Sequence, residues 1–305
     1  MYSSRVTLLN VVGVVASVVA CSLCSGTNLP AEITSDQTWR YDESPYHLTR
    51  DTTIAEGVTV TVEAGVEVLV DGNFELRVEG RLLVAGSDHY KVFFVPTDRD
   101  AVGVWRGIFV TMDGHVEMVS AVIRGAMTNI INAGGFVQMN NCYIERAQND
   151  GMFVFGPAWI GLVRCYFNHN GRRGLYIETT EPEGNVWRSR FIANGEYPVY
   201  TKATCAEILK RGNRYHFNGK DFIGVCCSAQ DDITDVDGWY TQGGVQYDLT
   251  AGAGSHELRV SGILLIDKGV AIRASSIDVT GRIDTNGSME HPVTILPPGD
   301  DPKPG

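Results

Sequence analysis

The sequence predicts an all-β fold wound as a solenoid, with coils of about 21–24 residues. Three observations predict it. An aromatic or aliphatic residue recurs at Ile123, Ile144, Phe167, Phe191, Tyr215 and Trp239. A second column, Met152, Leu175, Val199, Ile223 and Val245, keeps step with it at intervals of 23, 24, 24 and 22. Between the columns, apolar residues stand two apart, as in Leu175 and Ile177 or Ile223 and Val225. That is the period of a strand with one buried face and not the period of a helix. Two columns moving together at 20 to 50 residues mark a stacked repeat.

Composition fits such a fold. The chain has 305 residues, and its 44% apolar content supplies a large core. Its 34 glycines suit many tight turns. The net charge of -11 argues against nucleic acid, which binds through neutralisation of its phosphates by Lys and Arg.

Taken in chain order, the first element is a targeting segment. Arg5 precedes an apolar run from Val6 to Ala20 that is short for a membrane span and fits a secretory signal peptide over residues 1–20. Val18 and Ala20 place small residues ahead of a cut before Cys21. Val18-Val19-Ala20-Cys21 also resembles a bacterial lipobox, which makes Cys21 a lipidation candidate; an ordinary signal with an incidental cysteine is the alternative. Residues 21–43 read as a linker.

The solenoid is expected over residues 44–246. "GVTVTVEAGVEVLV" (Gly57 to Val70) alternates strictly, and "LRVEGRLLVAG" (Leu76 to Gly86), "KVFFVP" (Lys91 to Pro96) and "WRGIFV" (Trp105 to Val110) continue it. Later coils turn at Asn170-Gly171, Asn194-Gly195 and Asn218-Gly219. Asn tolerates left-handed backbone, and Gly carries no Cβ to clash. "CAEILKR" (Cys205 to Arg211) is the one segment with a helical look.

Residues 247–298 repeat the opening phrase. "YDLT" from Tyr247 echoes "YHLT" from Tyr46, "VTGR" from Val279 echoes "VEGR" from Val78, and "PVTILPPGD" from Pro292 echoes "KVFFVPTD" from Lys91, all at an offset of 201. These residues are expected to form further coils, with 299–305 a flexible Pro- and Gly-rich tail. Val260, Ile263 and Leu265 should then extend the stack above Val245.

The stretch from Ser44 through "VFFVP" and "WRGI" resembles the entry of right-handed parallel β-helix repeat proteins of the pectin-lyase-like superfamily, and the resemblance runs over about residues 44–247. It implies a right-handed, single-stranded parallel β-helix (β-solenoid). Such modules occur in bacterial exported proteins and in large animal cell-surface proteins, insect junction proteins among them. The fold does not dictate the activity.

Relatives that cleave polysaccharides need a carboxyl pair or a base beside calcium. Here the comparable pair is Asp231-Asp232, no Gly-His-Gly phrase exists, and His169 and His216 lack a carboxylate in register. Asp231, Asp232, Asp235 and Asp237 are calcium candidates, with Arg172-Arg173 two coils away; the alternative is a solvated acidic loop and a solvated basic turn. No cofactor is expected. Tyr143 and Tyr166 point outward and stack, either as packing or as a surface for sugar rings. Cys142 and Cys165 stack inward and are expected as buried thiols, whereas Cys205 with Cys226 or Cys227 is the disulfide expectation.

The reading that follows is an exported, non-catalytic protein whose rigid surface binds an extracellular polysaccharide or a cell-surface protein. The alternative is a carbohydrate-active enzyme of the polysaccharide lyase kind. Location is expected as secreted or cell-surface, with membrane contact only through a lipid on Cys21. Intact-mass analysis of native material should find residues 1–20 removed, and retention of Met1 would contradict this. An added diacylglycerol on Cys21 would establish the lipid anchor.

Overall fold

Runs of three to five residues with alternating apolar side chains make short strands that turn one face inward. Thr59–Val62 and Glu67–Val70 each alternate half-buried and buried positions. No single strand can bury that face alone, so the chain must stack coil upon coil. A computed structural model describes residues 26–179, 183–202, 205, 208–209, 212–219, 223–226, 233–236, 239–240, 246–248, 257–260, 263–266, 271–274, 276–279, 282–285 and 294–296.

Each coil visits three parallel sheets in turn. Among the described residues sheet A has nine strands, from Thr27–Asn28 to Arg214–His216. Sheet B has twelve, from Glu32–Ile33 to Thr294–Leu296. Sheet C has seven, from Gln37–Trp39 to Glu183–Trp187. Two further sheets of three strands hold the last coils. Among the described residues no helix is long and apolar enough to cross a membrane.

The register reproduces the columns of the sequence. Ile123 pairs with Ile144, Ile144 with Phe167, Phe167 with Phe191, and Phe191 with Tyr215. Met152 pairs with Leu175, and Leu175 with Val199. The Phe167 and Phe191 rings are fully buried and stack at 4.7 Å, and Tyr215 follows at 5.4 Å. Cofacial packing of this kind adds to the burial of each ring.

One boundary shifts. The stretch expected as a linker, 21–43, contains solenoid from Thr27 onward. Thr27 pairs with Tyr46, Ile33 with Ile54 and Trp39 with Val62, so a complete coil precedes residue 44. Its strands have two or three residues, too short to show alternation. The segment from Cys205 keeps its helical look, with 3-10 backbone at Cys205 and Ile208, and falls inside a coil: both residues are buried, and Leu209 bridges to Val186 of sheet C.

The opening phrase reused at the C-terminus forms strands in the same places. Glu75–Val78, Arg81–Ala85 and Val92–Pro96 are answered 201 residues later by Ser276–Val279, Arg282–Thr285 and Thr294–Leu296. The two copies do not occupy the same faces. Val92–Pro96 lies in sheet A and Thr294–Leu296 in sheet B, while Glu75–Val78 lies in sheet B and Ser276–Val279 does not. The phrase is therefore rotated by one face. Val260 pairs with Val236 and Leu265 with Tyr240, continuing the stack; Val245 and residues 299–305 lie outside the described residues.

Phe191→Ala should lower stability by about 3–5 kcal/mol, the usual loss for a large buried ring. Arg172→Ala, which removes an exposed pair with Glu196, should lower it by less than about 1 kcal/mol. Denaturant melting that gave equal losses would refute the register.

Candidate functional site

The turn residues singled out by sequence prove to be architecture, and they work differently from the expectation. Asn170, Asn194 and Asn218 do not hold the left-handed backbone. The preceding residues do: φ is 53° at His169, 55° at Ala193 and 57° at Phe217. The asparagine side chains instead turn inward and join across coils. Asn170 Nδ2 donates to Asn194 Oδ1 at 2.9 Å, and Asn194 Nδ2 donates to Asn218 Oδ1 at 2.8 Å. Each amide also donates to a backbone carbonyl in the preceding coil: Asn170 to Ile144 O at 3.2 Å, Asn194 to Phe167 O at 3.1 Å and Asn218 to Phe191 O at 3.1 Å. The glycines are required by close approach. A Cβ at Gly171 would lie 2.1 Å from Gln148 O, at Gly195 2.1 Å from Gly171 O, and at Gly219 2.0 Å from Gly195 O.

The cysteines divide. Cys142 and Cys165 are buried thiols, as expected, and burial together with the neighbouring Cys142 raises the Cys165 thiol well above its usual range. Cys205 is buried and points Sγ at the Thr179 carbonyl oxygen, 2.9 Å away. The side chain of Cys226 and all of Cys227, Cys21, Asp231, Asp232 and Asp237 lie outside the described residues. Asp235 sits on a strand paired with Arg259, and its side chain also lies outside them. Among the described residues no group of three or more His, Cys, Asp or Glu side chains gathers as metal ligands.

The two arginines weighed as substrate contacts have other tasks. Arg172 holds Glu196 at 3.2 Å, and that carboxylate raises the guanidinium further, so it stays protonated. Arg173 is buried in a bidentate pair with Asp150 at 2.8 and 3.1 Å and lies over the Tyr176 ring.

Outward rows of side chains are the remaining candidates. Tyr143 and Tyr166 stack at 4.6 Å with an interplanar angle of 4°. Lys91 lies over Tyr143 at 5.6 Å and Arg190 over Tyr166 at 5.4 Å. Cations therefore cover the free faces of this ladder, leaving only ring edges to a ligand.

A second ladder, on sheet C, is open at one end. His115, Phe136 and Trp159 stack at 4.3 and 4.2 Å. His115 also bonds Glu117 at 2.6 Å. Trp159 leans along its own strand over Gly161, where a Cβ would meet Cη2 at 2.6 Å. In the next coil Glu183 pairs with Trp159 and Asn185 with Gly161, so no ring continues the row. Among the described residues no ring or cation covers the far face of Trp159. Gln138 stands exposed beside it in the preceding coil.

This ladder escaped the sequence reading because its members differ in type and are 21 and 23 residues apart, without a shared turn motif to align them. At the other edge of sheet C is a cavity of about 400 Å³, lined by Ser87, Asp88, Val119, Asn140, Asn141 and Arg164. Asn141 holds Asp88 at 2.7 Å, and Asn140 accepts from Arg164 at 3.2 Å. A stacking ring, amides, a carboxylate and a guanidinium along one face are groups suited to a hydroxyl-rich ligand.

Compared with protein-family models, residues 106–250 match the right handed beta helix region. No curated protein and no solved structure matches. Coils extend on both sides of the matched stretch, from Thr27 to Leu296. With its period and its three parallel sheets the chain folds as a parallel β-solenoid, and residues 106–250 within it are similar to right-handed β-helix repeats.

Proposed function

We propose that the protein is an exported, non-catalytic β-helix that presents the outer face of sheet C to an extracellular carbohydrate. The reading rests above all on Trp159. Its indole ends a stacked row, and among the described residues no ring or cation covers its far face, where the exposed Glu183 and the half-buried Asn185 stand in the next coil. A sugar ring has apolar C–H faces and a polar hydroxyl rim, so it can take the next place in the row while Asn185 and Gln138 bond its edge. The coil stack is rigid, so a bound ring finds its partners already placed, which lowers the ordering cost of binding.

The alternative, a polysaccharide lyase, requires an unprotonated base beside the substrate. Arg172 is held charged by Glu196 and Arg173 is buried against Asp150, so neither supports that role. A binding surface also agrees with modules of this fold serving at cell surfaces, to which the resemblance pointed.

The test is a soluble glycan panel scored for binding and for turnover. At least one glycan should bind without change, and Trp159→Ala should weaken it about tenfold or more, a loss of about 1.4 kcal/mol, with the circular dichroism spectrum unaltered. Release of unsaturated sugars from a uronate polymer would favour the lyase. Binding that Trp159→Ala leaves intact would remove sheet C from the proposal.

A further inference from the structure

Among the described residues many arginines are paired with carboxylates between or within coils. Arg172 meets Glu196, Arg124 meets Glu145, Arg146 meets Asp100, and Arg77 lies between Glu75 and Glu79. The corner where sheet C turns into sheet A breaks that pattern. Arg164 and Arg188 occupy the turn there in successive coils, and Arg190 and Arg214 open the following strands. All four are exposed, and among the described residues none has an acidic partner within ion-pair distance. Two carboxylates on neighbouring coils have other partners: Asp88 accepts from Asn141, and Glu145 is bound to Arg124.

Arg164 and Arg188 sit at φ of 53° and 52°, the left-handed turn that Ser120 and Asn141 make in the two preceding coils at 51° and 57°. The turn is thus part of the repeat, and what changes at this corner is the charge. Arg190 pairs directly with Arg214, and like charges placed opposite in a sheet repel. An anion bound between them would offset that repulsion.

Three of the four guanidinium groups are also held in place. Arg188 lies 4.3 Å from the ring centre of Trp187, itself 40% exposed, and Arg190 lies over Tyr166. Arg164 is bonded to Asn140 at the rim of the cavity. Stacked, oriented guanidinium forks suit oxyanions. The rows have a measurable spacing: about 4.8 Å between coils and about 6.6 Å between alternate residues of a strand. Together the two rows place four positive charges on three successive coils, two of them on the middle coil.

We infer that this corner is a binding site for a linear sulfated polysaccharide lying along the solenoid axis. Its four cations on three coils, two of them on one coil, match a polymer with more than one anion per sugar better than a uronate chain, which has one. Because the whole chain carries -11, the attraction is local and depends on these four side chains. The inference rests on the carbohydrate-binding reading above but uses a different surface.

The experiment compares dextran sulfate, polygalacturonate and uncharged dextran by calorimetry, at low and at physiological salt. Dextran sulfate should bind most tightly and weaken as salt rises. The double variant Arg188→Gln/Arg190→Gln should lose about tenfold or more in affinity, while Arg50→Gln, an exposed arginine far from this corner, should not. Equal binding of dextran sulfate and polygalacturonate, binding unchanged in the double variant, or no binding of dextran sulfate would each overturn the inference. Trp159→Ala separates the two readings. If it keeps dextran sulfate binding but no glycan depends on Trp159, the arginine site stands and the sheet C site falls. If a neutral glycan depends on Trp159 while dextran sulfate does not bind, the reverse holds.

Discussion

Register between coils is the constraint on which everything else depends, and a column of buried amides holds it. Asn170, Asn194 and Asn218 bond to one another and to backbone carbonyls inside the turn. Their oxygens also accept backbone N–H groups: Ala147 to Asn170 at 3.1 Å and Asn194 to Asn218 at 3.1 Å. A buried amide without partners costs about 1–3 kcal/mol per polar group. A slip of one residue would leave several such groups unmade and turn Phe167 and Phe191 outward. The hydrophobic column drives the coils together, and the amide column decides how they meet.

Once register is fixed, each outward position becomes a row along the axis, and its chemistry follows from what is stacked. Rows with alternating charge close on themselves, as Arg172 does on Glu196. The Tyr143 and Tyr166 row closes too, under Lys91 and Arg190. A row can bind only where its last member is left open or its charges are left unmatched. The His115, Phe136 and Trp159 row meets the first condition, and the arginine corner meets the second.

Much of the fold was legible because strand alternation and coil period are both written in apolar residues, as at Ile144, Phe167 and Phe191. Features carried by backbone geometry were not. A sequence shows Asn-Gly at a turn, but it does not show that His169 or Ala193 takes the left-handed angle while the asparagine turns inward. The coil before residue 44 was hidden by strands too short to alternate. The repeated phrase was visible at its offset of 201, whereas its rotation onto another face depends on how many residues the intervening coils consume. The surface rows were the least legible, since Phe136 meets Trp159 only once coils of unequal length are placed in register.

Asn194→Ala, followed by denaturant melting, tests the amide column most directly. It removes the acceptor of Asn170 Nδ2 and the donors to Phe167 O and Asn218 Oδ1. The expected loss is about 3–5 kcal/mol, from several buried groups left unpaired at once. A loss within about 0.5 kcal/mol, the range of an ordinary surface change, would mean that apolar stacking alone sets the register.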